Sequence, residues 1–327
     1  MKLKRIVSLT LALILALGTT LAFTSCDDGK YTVGICQLIK HDALDAATEG
    51  FKQALIDKLG EENVTFEYQE AAGSPDTCAT IVNTFVTKKV DLIMANATPA
   101  VQAAQNATLD IPILGTSVTE YGVALGIENF SGTVGGNVSG TSDLAPLNQQ
   151  AQMILDLFPE TKTVGLLYCS AEANSAYQVA EVKKYLEAKS ITCTEYKFSD
   201  NNDVALVAEN AAKNCDVIYV PTDNVAADCA QIIYGAISAS KTPIIAGEEG
   251  ICKGCGVATL SINYYDLGYK TGEMAAEILT GKADIAEMPI AYTPEEKLTK
   301  KYNKTICEAF GVDTANLEAL GYVAIEG

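Results

Sequence analysis

Tryptophan is absent from this 327-residue sequence, histidine occurs once, at His41, and arginine once, at Arg5. Without an indole, no tryptophan can stack on a sugar ring. Past Arg5 there is no guanidinium, which excludes a site that clamps phosphate, sulfate or a dicarboxylate by the bidentate arginine fork. No GxSxG, HExxH or paired-cysteine metal pattern accompanies the lone histidine, so neither an activated nucleophile nor a zinc set is visible. After residue 25 no apolar run is long enough to cross a bilayer.

The first residues are different in kind. MKLKR is a basic start, IVSLTLALILALGTTLAF an apolar stretch, and FTSC brings small residues up to Cys26. Residues 1–25 read as an export signal, Cys26 as a lipidation site, and residues 26–30 as a tether that anchors the domain outside the cytoplasm at the cell membrane. Ordinary secretion with a free Cys26 is the other reading. The chain carries a net charge of −18, which becomes −21 once Lys2, Lys4 and Arg5 leave with the signal. Nucleic acid is therefore not an expected partner. The nine cysteines beyond Cys26 sit mostly inside apolar stretches and read as small buried hydrophobes. Cys252 and Cys255 form a CxxC with no second pair. Two inert thiols in a loop are the leading reading, beside a local disulfide or a zinc site.

From Tyr31 onward, short β-branched runs alternate with longer helical ones, which implies parallel sheets covered on both faces. The series then restarts. TVGICQL at Thr32 resembles TVGLLYC at Thr163, VDLIMANATPA at Val90 resembles CDVIYVPTDNV at Cys215, and IPILGTS at Ile111 resembles TPIIAGEE at Thr242, at offsets of 131, 125 and 131. The expected fold class is α/β, with two similar three-layer αβα lobes joined by a hinge. Gly, Ser, Asp and Pro within 136–150 mark the boundary. The helix GYKTGEMAAEILTG has no earlier counterpart and is taken to cross back. The first lobe is then 31–143 plus about 264–283, and the second 144–263 plus about 284–327.

In parallel sheets, ligands sit beyond the carboxyl ends of strands. Ser74 with Pro75, Thr98 with Pro99, and Thr222 to Asn224 carry N-cap signals there. First-lobe tips offer Gln37, His41, Asn96, Thr98, Thr116 and Ser117, all neutral apart from Lys40; second-lobe tips offer Glu172, Asn174, Asp223, Glu248 and Glu249. Such walls suit a zwitterion. Its carboxylate would take hydroxyl and backbone N–H bonds at helix starts in the first lobe, and its ammonium would meet Asp223 and Glu249. Each of these residues also reads as a plain cap or solvated loop. His41 reads as lining the cleft rim or capping a helix at the surface, since catalysis would need a partner group. Rings at Tyr121, Tyr177, Tyr264 or Tyr265 would stack on a ligand side chain or belong to the core.

QLIKHDALDAATEGF, NATPAVQAAQNAT, GNVSGTSDLAPLNQQ, TVGLLYCSAEANS, VIYVPTDN, GEEG and NYYDLGYKTGEMAAEIL, in this order, resemble the family of ABC transporter substrate-binding lipoproteins that includes tryptophan- and tyrosine-binding members. The resemblance implies a type I periplasmic-binding-protein fold that closes on ligand like a hinge, and delivery of the ligand to an ABC permease driven by an ATPase; separately, no catalysis, no cofactor or metal and a monomer are expected. It carries over Gln37, Asn96, Thr98, Ser117, Ser142, Asp143, Asn174, Asp223 and Glu249 as ligand contacts. The expected function is binding of an aromatic or large apolar L-amino acid. A ligand-sensing module for a membrane signalling partner is the alternative, and an enzyme on the same scaffold would need a nucleophile or metal that the sequence does not display.

Overall fold

The computed structural model describes residues 30–325, so the export signal and Cys26 lie outside the described residues. Five strands, β1 (Tyr31–Gln37), β2 (Val64–Glu70), β3 (Leu92–Asn96), β4 (Ile113–Val118) and β5 (Val138–Ser142), form a parallel sheet in the order β2-β1-β3-β4-β5. Five more, β6 (Thr163–Cys169), β7 (Thr192–Phe198), β8 (Val217–Val220), β9 (Ile244–Ala246) and β10 (Ala258–Ser261), repeat it as β7-β6-β8-β9-β10. The duplication seen in the sequence is thus a duplication of topology. Later, β11 (Ala291–Tyr292) adds in parallel to β5, β12 (Thr299–Tyr302) pairs antiparallel with β10, and β13 (Val323–Ala324) pairs with β12.

Helices α1 (Asp42–Leu59), α2 (Pro75–Lys88), α3 (Thr98–Ala107) and α4 (Tyr121–Leu125) cover the first sheet. The second carries α5 (Leu147–Leu157), α6 (Ala173–Glu187), α7 (Val204–Asn214), α8 (Asn224–Asp228), α9 (Ala230–Ile237) and α10 (Glu249–Cys255). Helix α11 (Tyr264–Leu279) returns to the first lobe, against α1. Central strands are apolar on both faces, as a doubly covered sheet requires. In β3, Leu92 and Met94 join a core with Phe51, Leu55 and Met274, while Ile93 and Ala95 join another with Phe85 and Tyr121. In β8, Val217 and Tyr219 face one core and Ile218 and Val220 the other.

Two expectations change. Residues 285–292 were expected in the second lobe, but Ile285 belongs to a first-lobe core, Met288 and Ala291 pack against it, and β11 extends the first sheet. The chain therefore crosses three times, at 142–147, 261–264 and 292–299. The segment expected to interrupt both periodicities also contains β5. Its VSGTS is poor in strand formers because the space is tight: a Cβ at Gly140 would strike the Gly115 backbone and the Tyr121 hydroxyl, and Gly140 has φ +147°.

Helices α1 and α11 approach backbone to backbone. A Cβ on Gly268 would overlap the Ala47 carbonyl, one on Gly50 the Tyr265 carbonyl, and one on Gly272 would lie 2.5 Å from the Phe51 carbonyl oxygen. Gly235, inside α9, has open space around its Cα. Gly268→Ala is expected to force the helices apart, at roughly 1–3 kcal/mol, and to lower the thermal midpoint by several degrees. Gly235→Ala should raise it slightly, by removing glycine's entropy from a helix. Melting curves in which both variants shift alike would contradict the backbone contact.

Candidate ligand-binding site

Strand tips in both lobes are built by helix starts. Ser74 caps α2, accepting from Thr77 N at 3.2 Å, and Asp223 caps α8, accepting from Ala226 N at 2.8 Å. At α3 the sequence suggests Thr98 as the cap, yet Ala97 occupies that position with φ +90° and ψ 158°, and Thr98 is the first helical residue. No side chain caps α3. Ser117, at the end of β4, also has a left-handed φ of +54°. Non-glycine residues in such conformations concentrate where a site fixes the backbone; Ala97 directly follows β3, and Ser117 lies on the neighbouring β4.

Five buried side-chain atoms have no hydrogen-bond partner among the described residues: Asn96 Oδ1, Ser117 Oγ, Asp143 Oδ1, Asn174 Oδ1 and Thr259 Oγ1. Buried polar atoms are nearly always satisfied, so unsatisfied ones call for an explanation. Of these, Asn96, Ser117 and Asn174 are tip residues expected from the sequence to meet ligand, and Asp143 is a contact carried over by the family resemblance. Asn96 donates its amide to Leu44 O at 2.8 Å and Thr48 Oγ1 at 3.0 Å, which leaves its oxygen bare. Asn174 donates to Glu172 Oε2 at 3.0 Å and Thr222 O at 3.2 Å, both of them acceptors, so its nitrogen must face them and its oxygen is free. Asp143 accepts from the Tyr264 hydroxyl at 2.9 Å on Oδ2, and Oδ1 has nothing.

Other sequence candidates have their polar groups committed elsewhere. Gln37 donates to Ile39 O and Asp45 Oδ1 and accepts from Thr48 Oγ1, so it braces the β1 tip. Thr116 meets Thr141 Oγ1 at 3.2 Å in a hydroxyl chain that runs on to Thr271 of α11. Ser142 donates to Thr119 O and accepts from Leu144 N, shaping the first crossing. Asp223, expected to meet an ammonium, spends Oδ2 on Cys169 N at 2.7 Å and Oδ1 on its cap, tying β6 to α8. Glu249 is one third exposed and pairs with Lys301 at 2.6 Å. Thr98 is buried at the start of α3. Tyr121 is a core residue whose hydroxyl donates to Thr141 O, and Tyr265 stacks on Tyr269 at the surface.

The acids that matter here were partly passed over. Glu172 is buried and accepts from Asn174, from Asn224 N and Nδ2, and from Val225 N, so it braces α8 across from β6. Glu248, not Glu249, is the buried member of the GEEG pair, and it caps α10 through Gly250 N and Ile251 N. The expected CxxC loop is this helix. Both its thiols are buried and free, and burial pushes their pKa values up, as befits inert cysteines. Burial raises the carboxyl of Asp143 to about 6, of Glu248 to about 7, and of Glu172 to about 8, where Asp223 adds repulsion. Burial raises Asp223 as well. Only adjacency to a tip marked Glu172 in the sequence.

The lobes touch across these tips. Asn224 spends its amide nitrogen on Glu172, so its oxygen faces His41, whose Nε2–H donates to it at 3.3 Å. Burial lowers the His41 pKa and favours the neutral ring. Nearby, Lys253 lies 3.8 Å from Asp42 across the same gap. A pocket of about 290 Å³ opens between the lobes beside Asp42, Glu248, Lys253 and Tyr264. Asn96, Ser117, Asp143 and Asn174 do not line this pocket; their bare atoms are buried at the strand tips and the first crossing, with the uncapped start of α3 beside Asn96.

Residues 32–319 match the family of ABC transporter substrate binding proteins. A curated relative, the tyrosine-binding protein of Clostridioides difficile, is 35% identical over 293 residues, 89% of this chain and 84% of the relative. Among solved structures, the ABC domain from Streptococcus pneumoniae in complex with L-Trp superposes with a TM-score of 0.84 at 29% identity, covering 90% of this chain and 100% of that one. A ligand-free, open substrate-binding protein with adhesive properties from Clostridium difficile gives 0.68 at 36% identity, again covering 90% and 100%. With two lobes of the same topology meeting over orphaned polar groups, and with this match along nearly the whole described chain, the protein belongs to the ABC transporter substrate-binding family.

Proposed function

We propose that the cleft binds an aromatic L-amino acid as its zwitterion, with the ammonium on Asp143 rather than on Asp223 or Glu249, and that the protein hands this ligand to an ABC permease. The carrying observation is the bare Oδ1 of Asp143, a buried carboxylate oxygen without a partner. An ammonium has three donors and no acceptor, which suits Asp143 Oδ1 together with the free Asn174 oxygen from the other lobe. The carboxylate is assigned to the uncapped start of α3, where Ser117 Oγ is free and Thr98 begins the helix. Aromatic side chains are favoured by the tyrosine-binding and L-Trp-bound relatives.

A thermal-shift screen of the twenty amino acids should single out tyrosine or tryptophan. A ligand at a hundred times its dissociation constant adds about 2.7 kcal/mol. Titration calorimetry should then show that Asp143→Asn weakens binding about 30-fold or more, since losing a charge contact to a buried ammonium costs roughly 2–5 kcal/mol. An N-acetylated ligand should not bind. Unchanged affinity in the variant would remove Asp143 from the site, and a screen without an amino-acid hit would remove the ligand class.

The apolar stretch ending in FTSC and the polar DDGK after it support anchoring through a diacylated Cys26. Cys26→Ala should move the protein from the membrane fraction to the soluble one with ligand affinity intact. A wild type that takes up no labelled fatty acid would end the anchoring proposal.

A further inference from the structure

Tyr264 opens α11 where the chain re-enters the first lobe, and it is 7% exposed. The sequence offered its ring as a stacking surface. The structure puts its hydroxyl to another use: it donates to Asp143 Oδ2 at 2.9 Å, bridging the first and second crossings. Asp143 is otherwise faced by the Tyr121 phenol, the Thr119 hydroxyl and, from the second lobe, the Glu248 carboxylate. No lysine or histidine pairs with it among the described residues.

We infer that Tyr264 is the positioning residue of the ammonium site: by occupying one oxygen of Asp143 it turns the other toward the ligand and keeps the carboxyl ionised. The inference rests on the assignment of the ammonium to Asp143. Its physical content is that a lone carboxylate in a dry site tends to take up a proton, and a protonated Asp143 would offer the ammonium no charge. Donation from the phenol opposes that. Burial is the larger influence and lifts the carboxyl to about 6, while the Tyr264 bond pulls it down, so without the phenol the carboxyl protonates at still higher pH. The sign follows: wild-type affinity holds from pH 8 to about 6 and falls below, and removal of the hydroxyl moves that fall upward.

Tyr264→Phe keeps the ring and removes the donor. Affinity for L-tyrosine or L-tryptophan, whichever the wild type binds more tightly, is to be measured from pH 5.5 to 8 for wild type, Tyr264→Phe, Asp143→Asn and the double variant. The expected result is about a tenfold loss for Tyr264→Phe at pH 7.5, with its acid fall beginning about one pH unit higher than in the wild type. The phenylalanine should add no further loss once Asn replaces Asp143. Thermal midpoints check that each variant is folded. If Tyr264→Phe matches the wild type in affinity and pH profile while Asp143→Asn fails to bind, the positioning role is overturned and the ammonium site stands. Additive losses in the double variant would overturn it too. Should Asp143→Asn itself bind normally, the ammonium assignment falls and the Tyr264 role falls with it.

Discussion

Carboxylates are costly to bury without a cation, and among the described residues four acids, Asp143, Glu172, Asp223 and Glu248, are buried around the tips where the lobes meet. None is paired with a lysine or histidine among the described residues, and past Arg5 the sequence holds no arginine. Glu172, Asp223 and Glu248 are compensated by backbone N–H groups at helix starts. Asp143 has one phenol and one bare oxygen. In the proposed account the missing cation is the ligand's ammonium. Asp143 and Glu248 repel each other's charge, so in that account an ammonium held by Asp143 also eases the charge that Glu248 brings to the tips. Ligand and closure favour each other because each removes a cost from the other.

The two relatives differ in how they rank. Sequence identity places the ligand-free, open protein from Clostridium difficile above the L-Trp complex, at 36% against 29%, yet the TM-scores run the other way, at 0.68 against 0.84. The present structure has His41 on Asn224 and Lys253 near Asp42, contacts that exist only with the lobes together. Three crossings and the glycine-lined α1–α11 contact keep α11 with the first lobe, so Tyr264, at the mouth of that helix, lies where the second lobe arrives.

Much of this was legible in the residues. Near-constant offsets between like strands gave two sheets of one topology; tip polarity picked out Asn96, Ser117 and Asn174, and the family resemblance alone added Asp143, whose bare atom completes the candidate site. What stayed hidden has physical causes. Which of Glu248 and Glu249 turns inward depends on which one caps α10, and the two are adjacent and chemically alike. Asp223 reads as a free acid until β6 arrives 54 positions away and claims its second oxygen. Ala97 looks unremarkable because a strained φ leaves no mark in composition. The VSGTS strand and the two-residue β11 are too short and too small-sided to carry a period, and only their neighbours make them strands.

The central claim is that an amino acid held between bare acceptors of both lobes closes the protein. Small-angle scattering of the wild type with and without saturating L-tyrosine or L-tryptophan tests it directly. The account predicts a larger radius of gyration without ligand and, with it, a decrease to the value calculated from the closed structure. Identical curves at confirmed saturation would contradict it.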